Sequence, residues 1–157
     1  MAKNTGNSTF RRLDVDAYSD DRYREEEEPE TPSTLGPDEQ EVSSLLKSSR
    51  NLDALRAALR NAPIKSKSQA VKDRAASTMC RVLSSFKTSE MESAAAQLTS
   101  EEVDLLMKYL YKCFQLASTG EEAAAGACSY LLAWHERLFQ LAGHGAIVRV
   151  LTDRRRL

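Results

Sequence analysis

The chain has 157 residues, room for one ordinary domain with a tail, and its composition (41% hydrophobic, 29% charged, Gly 6, Pro 4) is neither wholly disordered nor collagen-like. Its 22 basic and 23 acidic side chains leave a net charge of -1, which argues against a nucleic-acid binder or a basic membrane-surface protein. Three Cys, no apolar run behind a positive start and no long uncharged stretch argue against a disulfide scaffold, a signal peptide and membrane insertion, so a protein of a reducing compartment is expected.

That average divides near Pro37. Residues 1–37 carry 5 basic and 9 acidic side chains, a charge of -4, and the remainder carries 17 and 14, a charge of +3. Within residues 1–24, Phe10, Leu13, Val15 and Tyr18 are interleaved with Arg11, Arg12, Asp14 and Asp16. Too little apolar area is present there to offset the ordering entropy, so this segment is expected to be extended and partly disordered alone. The alternation of Leu13, Val15 and Ala17 suits a peptide lying in a partner's groove, with side chains in pockets and flanking charges setting register. A tail without a task is the competing reading. Residues 25–37 hold Glu25 to Glu28, Glu30, Pro29, Pro32 and Pro37, and they read as an acidic, proline-containing linker.

From residue 38 to 157 the pattern is helical. Asp38 precedes Glu41, Ser89 precedes Glu92 and Thr99 precedes Glu102 at the capping-box spacing, each before an apolar run of helical period. Helices are expected at 38–48, 51–61, 67–86, 90–98, 100–117, 121–142 and 145–153, an all-α domain of about seven helices. Val71, Ala75, Met79, Val82 and Phe86 make one stripe; Val103, Leu106, Met107, Leu110 and Phe114 make another. Ala127, Tyr130, Leu131, Trp134, Leu138 and Leu141 make a third. Ile147, Val148, Val150 and Leu151 have strand character, but no partner strand is evident.

The helix at 100–117 is apolar on a second side, at Leu105, Tyr109 and Leu116. Two readings follow: a central helix covered by its own neighbours, or a helix with one side against another protein. Leu105 and Tyr109 are therefore candidate partner contacts.

No catalytic, metal-binding or cofactor-binding residue can be assigned. Trp134-His135-Glu136 begins like a zinc-protease helix, but Phe139 stands where the second histidine belongs. Cys80, Cys113 and Cys128 are too far apart in sequence for a chelating pair, and Gly143-His144-Gly145 is better explained as a helix C-cap than as a phosphate cradle. Arg154 to Arg156 read as cations at a helix C-terminus followed by a solvated tail.

Several blocks resemble a known family. These are Phe10-Arg11-Arg12-Leu13-Asp14-Val15-Asp16, Lys67 to Ala75, Val103 to Lys112, Trp134-His135-Glu136 and Ile147 to Thr152. In this order and spacing the chain resembles subunit 5 of the actin-related protein 2/3 complex, a small helical subunit. The resemblance implies a non-enzymatic structural subunit serving actin nucleation and branching. It further implies that the body at 38–157 docks on the complex's propeller subunit and a neighbouring core subunit. Residues 1–24 would tether the actin-related protein 2 subunit, with Phe10, Arg12, Val15 and Tyr18 in contact and 25–37 as spacer. A place in the cytoplasm, in actin-rich cell projections and in the nucleus is implied too. Cys113, the alanine-rich stretch 116–129 and the ending Asp153 to Arg156 depart from the family pattern, as in a divergent isoform. The alternative is a free-standing helical adaptor that binds peptides or partner helices.

Overall fold

In the computed structural model, residues 36–119 and 127–157 are described. Six helices follow in order: α1 (Glu39–Lys47), α2 (Asn51–Arg60), α3 (Gln69–Ser84), α4 (Thr88–Ala95), α5 (Ser100–Ser118) and α6 (Cys128–Thr152), with no strand among the described residues. The strand character of Ile147 to Leu151 is overridden: this stretch is helical.

Local chemistry accounts for the helix ends. Asp38 caps α1, its Oδ1 accepting from the N–H groups of Gln40 at 2.8 Å and Glu41 at 3.3 Å. Thr99 and Glu102 make the reciprocal box at α5: Thr99 N–H donates to Glu102 Oε2 at 2.8 Å, and Glu102 N–H to Thr99 Oγ1 at 3.3 Å. The expected box at Ser89 is corrected by two positions, because Lys87 N–H donates to Glu90 and α4 begins at Thr88. Helix α1 closes with Ser49 in the left-handed region (φ 57°), where the N–H of Arg50 reaches back to Leu45 C=O and that of Ser49 to Leu46 C=O, both at 3.0 Å.

The core lies where α5 packs against α6 and α3, with α2 beneath and α4 against α6. The α5 stripe Val103, Leu106, Met107, Leu110 and Cys113 is buried. It meets Ala75, Ala76, Met79, Val82 and Leu83 of α3 and Leu131, Trp134 and Leu138 of α6 in one cluster. Phe86, expected inside a helix, lies beyond the end of α3 yet is buried, its ring edge-on to Trp134 at 5.1 Å.

The last two expected helices form one element interrupted in backbone conformation at Gly143 (φ 65°, ψ -168°). An added Cβ there would meet nothing, so the cost of any side chain is backbone strain alone. Gly143→Ala is expected to lower stability by about 1 kcal/mol, read as a drop in thermal midpoint without change of secondary structure. The start of this helix expected at residue 121 falls outside the described residues.

Candidate partner-binding surface

After Gly143 the chain makes two more helical turns, and both are pinned to α5. Ala146 is fully buried, and Arg149 grips Asp104 of α5 with two bonds, Nε–Oδ2 at 2.6 Å and Nη2–Oδ1 at 2.8 Å. With those residues facing inward, helical geometry turns Val148 and Leu151 outward, three positions apart and on one face. They are 55% and 62% exposed, and Leu141, before the break, is 51% exposed. Ile147 is half-buried beside them. On the first half of α6, Leu132 is 61% exposed as well. One helix therefore carries every large hydrophobic side chain that is exposed among the described residues. A scattered exposed leucine means little, but several concentrated on one helix mark an interaction surface.

Beside this face runs a line of rings. Tyr111 of α5 stands edge-on to His135 at 5.8 Å, His135 stacks on Phe139, and Phe139 meets the edge of His144 at 4.8 Å. The Tyr111 hydroxyl lies 3.3 Å from His135 Nε2. His135 is thus a half-buried boundary residue in an aromatic cluster.

The residues singled out from sequence fare differently. Phe10, Arg11, Arg12, Leu13, Val15 and Tyr18 lie outside the described residues. Leu105 is half-buried. Tyr109 is fully buried by the chain's own helices, so it offers no surface to a partner and is corrected to a core residue. Its hydroxyl has no hydrogen-bond partner among the described residues, and burial pushes its ionisation well above the ordinary phenol range. Of the two readings of α5, the helix covered by its own neighbours holds at Tyr109 and Leu116.

Sequence reasoning missed Val148 and Leu151 as surface residues. The signal was present: Ala146, Ile147, Val148, Val150 and Leu151 leave a short helix apolar all round, and a single neighbour can cover only one side.

The ending of the chain is also better ordered than a solvated tail. Asp153 accepts from Lys108, Lys108 Nζ donates to Arg155 C=O at 3.3 Å, and Lys72 Nζ donates to Arg156 C=O at 2.6 Å. The tail so lies across α5 and α3. Close by, the buried ammonium of Lys112 pairs with Asp73 Oδ1 at 2.7 Å. The hydrogen bond from Lys112 holds the Asp73 carboxyl below its usual range, and that from Lys108 does the same for Asp153.

Cys80 and Cys113 are buried and Cys128 is exposed; a hydrogen bond with Cys80, then burial, push the Cys113 thiol far above the reactive range. Among the described residues no three His, Cys, Asp or Glu side chains are grouped to hold a metal ion, and no helix is long and apolar enough to cross a membrane.

Comparison with known proteins gives a consistent family. The profile of the family described as "ARP2/3 complex 16 kDa subunit (p16-Arc)" matches residues 9–157. The chain is 44% identical over 156 residues to actin-related protein 2/3 complex subunit 5-B of Xenopus laevis, covering 99% of each chain. It is 43% identical over 157 residues to the human actin-related protein 2/3 complex subunit 5-like protein, again with 99% of each chain. A probable subunit 5 of Caenorhabditis elegans is 35% identical over 151 residues, 96% of this chain and 99% of that one.

Proposed function

The chain belongs to the ARP2/3 complex 16 kDa subunit (p16-Arc) family, and from that membership we propose that it acts as a non-catalytic structural subunit of the complex that nucleates branched actin. The observation that carries the reading is the exposed apolar face of α6, centred on Val148 and Leu151. That face is the docking surface, and the propeller subunit and a neighbouring core subunit are its partners. Its contact with actin filaments is indirect, through the complex. It works in the cytoplasmic actin cytoskeleton, including actin-rich cell projections, and in the nucleus.

The mechanism is linkage. The body anchors, and residues 1–24 engage the actin-related protein 2 subunit through Phe10, Arg12, Val15 and Tyr18, with Leu13 filling a further pocket and the charge of Arg11 setting register. Residues 25–37 form the spacer. A flexible chain of that length has an r.m.s. span of about 20 Å, which corresponds to millimolar effective concentrations of the tether at its site. Leu105, half-buried on α5, is a secondary contact.

Deleting residues 1–24 from the full complex is expected to leave the body co-purifying with the other subunits. It should lower branch formation by about tenfold, because the tether's local concentration is lost. Branching at the wild-type rate with the deletion would overturn the tether.

A further inference from the structure

Two of the chain's three cysteines meet inside the body. Cys80 lies in the second half of α3 and Cys113 in the second half of α5, and they are 1% and 0% exposed. The Cys113 thiol donates to the C=O of Ala76 at 3.5 Å. In an α-helix that carbonyl also accepts from the N–H of the residue four positions on, which here is Cys80. The Cys113 sulfur is therefore seated beside the Cys80 backbone, and the two thiols share a hydrogen bond.

The register of the two helices is fixed at the same place. Lys112, next to Cys113, pairs with Asp73 at 2.7 Å, about one turn before Ala76 on α3. Adjacent positions of α5 thus each hold a partner on α3, which keeps the sulfurs facing one another. Ala75 and Ala76 are small and fully packed, so the helices can come as close as a disulfide requires, with Cα atoms within about 7 Å. The third cysteine, Cys128, is exposed and begins α6.

We propose that Cys80 and Cys113 are a modification site, a thiol pair that a small-molecule disulfide oxidises to a reversible staple between α3 and α5. One cysteine displaces a thiol from the reagent and forms a mixed disulfide. The other attacks that bond at the cysteine sulfur and expels the second reagent thiol, so two protons and two electrons pass from the pair to the reagent. In the closed body, burial and the shared hydrogen bond keep Cys113 protonated, and exchange runs slowly, through openings of the α3–α5 contact. The bond closes residues 80–113 into a loop, which removes entropy from the unfolded chain and stabilises the body. It concerns the body alone and stands whether or not Val148 and Leu151 dock.

The test uses the full chain with Cys128→Ser, so that the exposed thiol takes no part, equilibrated with oxidised glutathione. Peptide mapping is expected to find one intramolecular bond joining Cys80 to Cys113. The thermal midpoint should rise by about 10 °C and return to its starting value with dithiothreitol. Cys80→Ala in the same background should form no bond and show no difference between oxidised and reduced midpoints. Refolding from urea in the same glutathione buffer approaches the equilibrium from the open side, so slow exchange does not decide the result. Two cysteines that stay reduced after refolding, that carry separate glutathiones, or whose joining lowers the midpoint would each overturn the pair.

Discussion

Trp134→Ala is expected to destabilise the protein by about 4–5 kcal/mol, close to the whole stability of a small domain. The indole is fully buried, its ring meets the Phe86 edge, and its Nε1–H donates to the C=O of Leu83 at 3.2 Å. Leu83 stands in the last turn of α3, where carbonyls lack the intrahelical donor that a continuing helix would supply. The tryptophan thus satisfies a helix end while filling the space between α6, α3 and the segment after it. The Leu83 carbonyl also accepts from Phe86 N–H at 3.4 Å, so Trp134→Phe loses one of two donors and some volume, a cost of about 1–2 kcal/mol. The check is chemical denaturation of both variants. With a cavity in the core, the Ala variant should melt about 15–20 °C lower, and the Phe variant should retain most of the midpoint. An Ala variant within about 1 kcal/mol of wild type would show that α6 is not held through this residue.

The helical body was legible because its signals are local. Asp38, Thr99 with Glu102, and the 3.6-residue stripes of α3 and α5 each state a boundary or a buried face within one or two turns of chain. The misplacements have physical causes. At α4 the N–H of Lys87 finds the Glu90 carboxylate, so the helix starts ahead of the Ser89 box that pattern alone favours. Phe86 continues the α3 period but sits after the helix, because Trp134, forty-eight positions later, offers it a ring edge. Tyr109 and Val148 show the limit most clearly. Both lie on helices apolar on more than one side, and only the tertiary arrangement decides which side is covered. Helix α5 has α3, α6 and α2 around it, so Tyr109 disappears into the core; the end of α6 has α5 on one side, so Val148 and Leu151 remain outside. Likewise, Lys72 and Arg156 are eighty-four positions apart, a contact no local pattern announces.

Changing Val148 and Leu151 together to Asp is expected to abolish incorporation into the complex while leaving the fold intact. Both side chains are more than half exposed, and the turn that carries them is held from the other side by Ala146 and by Arg149 on Asp104, so stability should change by no more than about 0.5 kcal/mol each. At an interface the same two positions would bring two carboxylates into a desolvated apolar contact. If each removes about 2 kcal/mol, the pair weakens docking about a thousandfold. Arg149→Ala separates position from contact. It frees Asp104 and loosens this turn while leaving Val148 and Leu151 in place chemically, so its docking loss should be smaller and accompanied by a lower thermal midpoint. The measurement is co-purification of tagged chain with the remaining subunits, alongside size-exclusion chromatography and thermal melting of the isolated chain. The double variant should melt as wild type and elute alone, at the size of a single small subunit. Full incorporation of a stably folded double variant would move the docking surface off α6 and require the body to bind through polar or half-buried residues instead, with Leu105 of α5 the next position to test.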